Sequence, residues 1–194
     1  MAAQNLVLVT RTDNGKQFKV STNKIVQFKA LQNTTTLLTY VDQRGRQANM
    51  VVNETASTIN GLTGSRTQAV TLYPSGTTVY INSDRIIYLD ITTYGTIITY
   101  EVSGGSGKYN LPPSLINVST SASSISSTAG QTGVIITSAS QTRYINGNFI
   151  DLVTHSPLIN GDYEVLYDSK KTSFEKITVS SNGASSFSIG SGWS

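Results

Sequence analysis

The chain has 194 residues, no cysteine, a single histidine and a formal net charge of +3. Without cysteine, disulfides and thiolate metal sites are excluded, so packing or assembly must hold the fold. Charged residues make up only 13%, yet strand-forming Val, Ile, Tyr and Thr recur throughout, which excludes a disordered composition and points to a β-rich chain.

The charge is uneven. Residues 1–62 hold seven Lys/Arg against three Asp/Glu (+4), residues 63–126 three against three (0), and residues 127–194 four against five (−1). A basic first part is either a solvated face or a contact with an acidic partner surface or nucleic acid. The opening MAAQNLVLVT lacks a charged segment followed by a long apolar run, so no secretory leader is expected. No apolar run approaches the roughly 20 residues of a membrane helix. The expectation is a soluble chain made in a cytoplasm.

In chain order, residues 6–11 and 16–20 are short β-type runs around Asp13-Asn14-Gly15. Asn-Gly is a strong hairpin signal because both residues tolerate positive φ. Residues 25–28 (IVQF) predict a third, buried strand, and residues 36–42 a fourth. A polar turn, Gln43-Arg44-Gly45, leads to a fifth strand at 48–52, after which Asn53 could cap one helical turn.

The same order then repeats. Val20, Ile81 and Ile145 align at spacings of 61 and 64 residues. Asn23-Lys24-Ile25 falls on Asp84-Arg85-Ile86 and, with a small insertion allowed, on Asn148-Phe149-Ile150. The hairpin turns become Pro74-Ser75-Gly76 and Ser138-Ala139-Ser140. The third strand becomes 86–89, the fourth 96–102, and the fifth 115–118 and then 175–179. The polar turns become 103–107 and 168–171.

Repeats of this length mean one supersecondary unit each. The expected fold is therefore all-β: three tandem small β-sheet or β-barrel modules of about five short strands, with short helical turns, at residues 1–62, 63–126 and 127–194. The Gly/Ser-rich tail carries Phe187 and Trp193, apolar anchors that imply docking.

Sites of chemistry are sparse. His155 has no companion motif and is expected in a loop. Asp151, Asp162, Glu164 and Asp168 cluster in the third copy without calcium-loop spacing and read as a solvated strand face. Asp84, Arg85 and Asp90 read as surface pairs. Tyr80, Tyr88 and Tyr94 could form a stacking platform for sugar or single-stranded nucleic acid, but that copy is neutral, so packing is the better reading. No catalytic, cofactor or metal residues are expected.

The first copy, running Val9-Thr10-Arg11-Thr12-Asp13-Asn14-Gly15-Lys16-Gln17-Phe18-Lys19-Val20 to Val51-Val52-Asn53-Glu54-Thr55, resembles the small flagellar/swarming-motility protein family over residues 6–59. The other copies lose the Thr-Arg and the Asn-Gly, and the family brings no catalytic residues. Tandem copies opening with Ile81-Asn82 and Ile145-Asn146 are similar to virion proteins of crAss-like tailed phages.

That resemblance implies a non-enzymatic auxiliary protein decorating a capsid in the virion. Its partners would be the major capsid protein, other virion proteins, head fibres or further copies of the chain, with no membrane and without nucleic acid as a leading partner. Lys16, Lys19, Lys24, Lys29, Arg44, Arg46 and Trp193 are the candidate partner contacts. A head-fibre, neck or tail component, a carbohydrate- or host-surface-binding module and a nucleic-acid-binding regulator stay open.

Overall fold

A computed structural model of the chain describes residues 6–31, 34–102, 114–128, 133–137, 142–155, 163–168, 175–179 and 187–189. The first repeat runs β1 (Leu6–Thr10), β2 (Gln17–Ser21), a 3-10 turn (Thr22–Lys24), β3 (Ile25–Ala30), β4 (Thr36–Val41), β5 (Gln47–Val52) and α1 (Ala56–Thr63). The second runs β6 (Thr67–Thr71), β7 (Thr78–Asn82), a 3-10 turn (Ser83–Arg85), β8 (Ile86–Thr92), β9 (Gly95–Tyr100), β10 (Ser114–Val118) and α2 (Ala122–Thr128). The third runs β11 (Gly133–Thr137), β12 (Thr142–Asn146), a 3-10 turn (Gly147–Phe149), β13 (Ile150–His155), β14 (Tyr163–Tyr167), β15 (Glu175–Val179) and β16 (Phe187–Ile189). The protein is all-β, built of small antiparallel sheets, with two short α-helices among the described residues.

Four expectations change in detail. The three 3-10 turns begin at equivalent positions and have equal length, so no insertion precedes Asn148. His155 is not in a loop: it closes β13, opposite Tyr163. The helix cap is Thr55, whose Oγ1 accepts from the Thr58 N–H at 3.1 Å, while the Asn53 N–H is spent on the Thr10 carbonyl. The helix then runs for two turns rather than one. The turns at 138–140 and 103–107, residues 169–171 of the third polar turn, Asp162 and Trp193 lie outside the described residues.

Strand pairing shows how the repeats are used. One sheet has the order β5-β4-β3-β7-β6, and another β10-β9-β8-β12-β11-β16. In each, three strands of one repeat are completed by the hairpin that opens the next. The register is the same both times: Gln27, Phe28 and Lys29 face Ile81, Tyr80 and Val79, and Tyr88, Leu89 and Asp90 face Ile145, Tyr144 and Arg143. Sheets therefore cross residues 62/63 and 126/127. The chain forms two compact units, Met1–Arg85 with Val102–Leu111 and Ile86–Glu101 with Pro112–Ser194.

The reason is burial. A three-stranded sheet of five- or six-residue strands cannot cover its apolar face alone, so further strands or packed elements must be supplied. In the first unit, Val7, Val9 and Val20 of the opening hairpin pack with Ile25, Phe28, Leu38, Met50 and Val52 of the sheet and with Ala56 and Ile59 of α1. Tyr80, arriving from the next repeat, stacks on Phe28 with ring centroids 4.9 Å apart.

Each third strand carries a bulge at its start, between Ile25 and Gln27, Ile86 and Tyr88, and Ile150 and Leu152. A bulge re-aims the extra residue. Val26 and Ile87 are fully buried there, whereas Asp151 is exposed.

An asparagine ties each junction. Asn82 Nδ2 donates to the Thr22 carbonyl at 3.0 Å and to the Ile25 carbonyl at 2.8 Å, while Oδ1 accepts from the Asp84 N–H. Asn146 repeats this on the Ile86 carbonyl at 2.7 Å and on the Asn148 N–H.

In the second unit the junction adds a guanidinium. Arg143 donates to both oxygens of Asp90 and to the Tyr167 hydroxyl, and lies 4.1 Å from the centroid of the Tyr88 ring. Burial alone would lower the pKa of Arg143, but the hydrogen bonds and charge of Asp90 outweigh it and raise it.

Two substitutions test this account. Asn82→Ala strips the buried Thr22 and Ile25 carbonyls of their donor, and urea unfolding followed by circular dichroism should show a loss of about 2–4 kcal/mol. Asn82→Asp, which offers no donor, should fall at least as far. Gly95 sits at φ 139°, and a Cβ there would stand 2.1 Å from the Val118 carbonyl oxygen. Gly95→Ala should therefore cost clearly more than Gly76→Ala, whose left-handed site (φ 69°) opens on empty space and should cost only ~1–2 kcal/mol.

Candidate partner-binding cleft

Among the described residues, β2 pairs with β1 alone. Its other edge faces a cleft of about 640 Å³. Phe18, Lys19, Val20 and Ser21 all line it. Successive strand side chains leave opposite faces, so a cleft that reaches all four lies along the strand edge. Leu6, Lys24, residues 40–44 and Met50 complete the lining. The surface combines exposed apolar groups, Leu6 at 51% and Phe18 at 38%, with the cations Lys19, Lys24 and Arg44.

Asp42 builds the far rim. Its Oδ1 accepts from the N–H groups of Arg44 and Arg46 at 2.8 and 2.9 Å, and its Oδ2 from the Arg46 guanidinium at 3.0 and 3.1 Å. Gly45 takes φ 79° to turn the chain around it. The Asp42 carboxyl is held below the usual aspartate range, first by the Arg46 N–H, which together with the Arg46 side chain and the Arg44 N–H outweighs the opposing effect of desolvation. Arg46 is thereby spent on the turn, and Arg44 carries the charge of this rim into the cleft.

The structure thus gathers three of the predicted contacts, Lys19, Lys24 and Arg44. Lys16 stands at the hairpin turn, its N–H on Asn14. Lys29 lies mid-sheet, between Leu37 and Val79. Arg11 is not among the residues lining the cleft: it pairs with Asp13 and lies over the Phe18 ring, 5.9 Å from its centroid. The apolar walls were not singled out from sequence, although Phe18 alternating with Lys19 was a usable signal of a two-faced edge strand.

The other candidates disperse. Asp84 pairs with Arg66 at 3.0 Å, Arg85 donates to the Asn23 carbonyl at 2.7 Å, and Asp90 holds Arg143, so these three charges serve separate contacts. Tyr88 is buried and Tyr80 is covered by Phe28, while Tyr94 is 68% exposed at the β8–β9 turn. The three rings do not make one platform. Among the described residues no cluster of three or more His, Asp or Glu is placed to hold a metal. Comparison with protein-family models, with curated proteins and with solved structures returns no match to this chain.

The turn yields a pH prediction. Because the folded pKa of Asp42 is depressed, its contribution is present above the ordinary aspartate value and is lost as pH falls through the folded one. In an NMR titration Asp42 should titrate below a free aspartate, and Arg46→Ala should raise its midpoint only part of the way. The strongest donor, the backbone N–H at position 46, survives that substitution. A full return to the free value would contradict the assignment.

Proposed function

We propose that this chain is a non-enzymatic structural protein of a phage virion, an auxiliary protein that binds the capsid through the basic cleft of its first repeat. The observation that carries this reading is the cleft itself. Lys19, Lys24 and Arg44 line it together with apolar groups that include Leu6 and Phe18. An apolar centre with a charged rim is how protein–protein interfaces are composed. The rim selects an acidic protein surface and quickens encounter, while the apolar centre supplies the affinity. The similarity of the tandem repeats to virion proteins of crAss-like tailed phages supports the major capsid protein as that surface. On a lattice, many weak contacts of this kind act together.

The test is sedimentation of the purified chain with purified capsids. The wild type should co-sediment at a stoichiometry set by the lattice. Lys19→Glu/Lys24→Glu/Arg44→Glu should lose binding by tenfold or more, since tenfold corresponds to only ~1.4 kcal/mol. Arg66→Glu, an exposed cation away from the cleft, should bind normally. Equal binding by the triple variant would overturn the assignment.

A further inference from the structure

We infer that copies of this chain join head to tail, the β2 edge of one copy pairing antiparallel with the β13 edge of the next. The chain makes this joint twice within itself. The second strand of an opening hairpin pairs with the third strand of the preceding repeat in β3·β7 and again in β8·β12, in one register. The pattern leaves two ends. The first hairpin, β1–β2, is a two-stranded sheet with the joining edge of β2 unpaired among the described residues. The third sheet is β13-β14-β15, and the joining edge of β13 is likewise unpaired among them. Each is the missing half of the other. Unpaired strand edges are templates for strand addition.

The internal register transfers position by position. Val20, Lys19 and Phe18 occupy the places of Ile81, Tyr80 and Val79. Leu152, Val153 and Thr154 occupy those of Gln27, Phe28 and Lys29. The joint therefore sets Val20 against Leu152, Lys19 against Val153 and Phe18 against Thr154.

Charge supports the match. At the second joint the bulge residue Ile87 shares a buried cluster with Phe149, the last residue of the arriving 3-10 turn. The corresponding residues at the free ends are Asp151, exposed on β13, and Lys24, on the wall of the cleft beside β2. At the first joint the same positions hold Val26 and Arg85, so a cation at the end of the arriving turn is already accommodated within the chain, and at the free ends Lys24 meets an acidic residue there. The first repeat carries a net charge of +4 and the third −1. The edges differ from each other, so the contact is heterologous and grows a row rather than closing a pair.

This inference does not rest on capsid binding. The two contacts compete for one edge, so only the first copy of a row keeps its cleft open to another partner.

The absence of cysteine makes the register testable, with the purified chain and no capsid present. Phe18→Cys and Thr154→Cys variants are mixed under mild oxidation. Directly opposed Cα atoms stand about 4.5–5.5 Å apart, within disulfide reach. The disulfide-linked heterodimer should form at least about tenfold faster than from Phe18→Cys with Thr178→Cys on β15, because pairing raises the local concentration. Asp151→Lys in the Thr154→Cys chain should slow it, and adding Lys24→Asp to the Phe18→Cys chain should restore it. Circular dichroism verifies that each variant is folded. Linkage no faster than the β15 control, or a wild type that sediments as a monomer at every concentration, would overturn the inference while leaving capsid docking untouched.

Discussion

The structure depends on one exchange: each opening hairpin completes the sheet of the repeat before it. Everything buried at the joints follows from that. Three short strands leave an open edge on the third strand, and the two arriving strands pair along it, while β1, β2 and α1 cover the apolar face and Tyr80 of the arriving hairpin packs against that core. The asparagine at the end of the arriving strand then satisfies carbonyls where the receiving strand turns into its bulge. An unsatisfied carbonyl there would cost more than the hydrogen bond gains, so the contact specifies register as well as strength. A slip by one residue would turn every side chain to the wrong face and break that bond at the same time.

Strand positions were legible because the period-two pattern and the Asn-Gly turn are local. The fifth strand of the third repeat, expected at 175–179, is found there to the residue. What escaped was the partner of each strand. Nothing in residues 67–82 says that β6 and β7 belong with Ile25–Ala30 rather than with Ile86–Thr92, because hairpins look alike whichever sheet they close. The one local trace was Ile81-Asn82 and Ile145-Asn146, an apolar residue followed by an asparagine at a strand end. It was read as a signature of the repeat when it is the tie between repeats. Similarly, Asn53 was a plausible cap by residue type, but its N–H still pairs with the Thr10 carbonyl beside the strand, the helix begins only at Ala56, and Thr55 stands at the cap.

The candidate site was legible as charge and illegible as shape. Counting lysines and arginines located the basic repeat, but six cations were treated alike. The fold separates them by what stands beside each. Asp42 consumes Arg46, the sheet takes Lys29 into its middle, and only Lys19, Lys24 and Arg44 share a concave surface. The same sorting explains Arg143, which contributed to a net charge near zero in the third repeat. Half-buried between Asp90, Tyr88 and Tyr167, it is a structural cation whose removal would leave Asp90 uncompensated.

Repetition also explains why the two ends of the pattern differ from its middle. A repeat flanked on both sides can place apolar residues at its joints, as Ile87 and Phe149 do. The same residues at an open edge would make indiscriminate aggregation the default. The first and third repeats instead carry Lys19, Lys24 and Asp151 at the corresponding positions. Charges there weaken self-pairing of like edges, β2 with β2 or β13 with β13, through repulsion, and leave the unlike pairing as the one that neutralises charge. Discrimination of this kind needs an attractive arrangement and a penalised alternative together. Lys19, Lys24 and Asp151 supply both with a handful of residues.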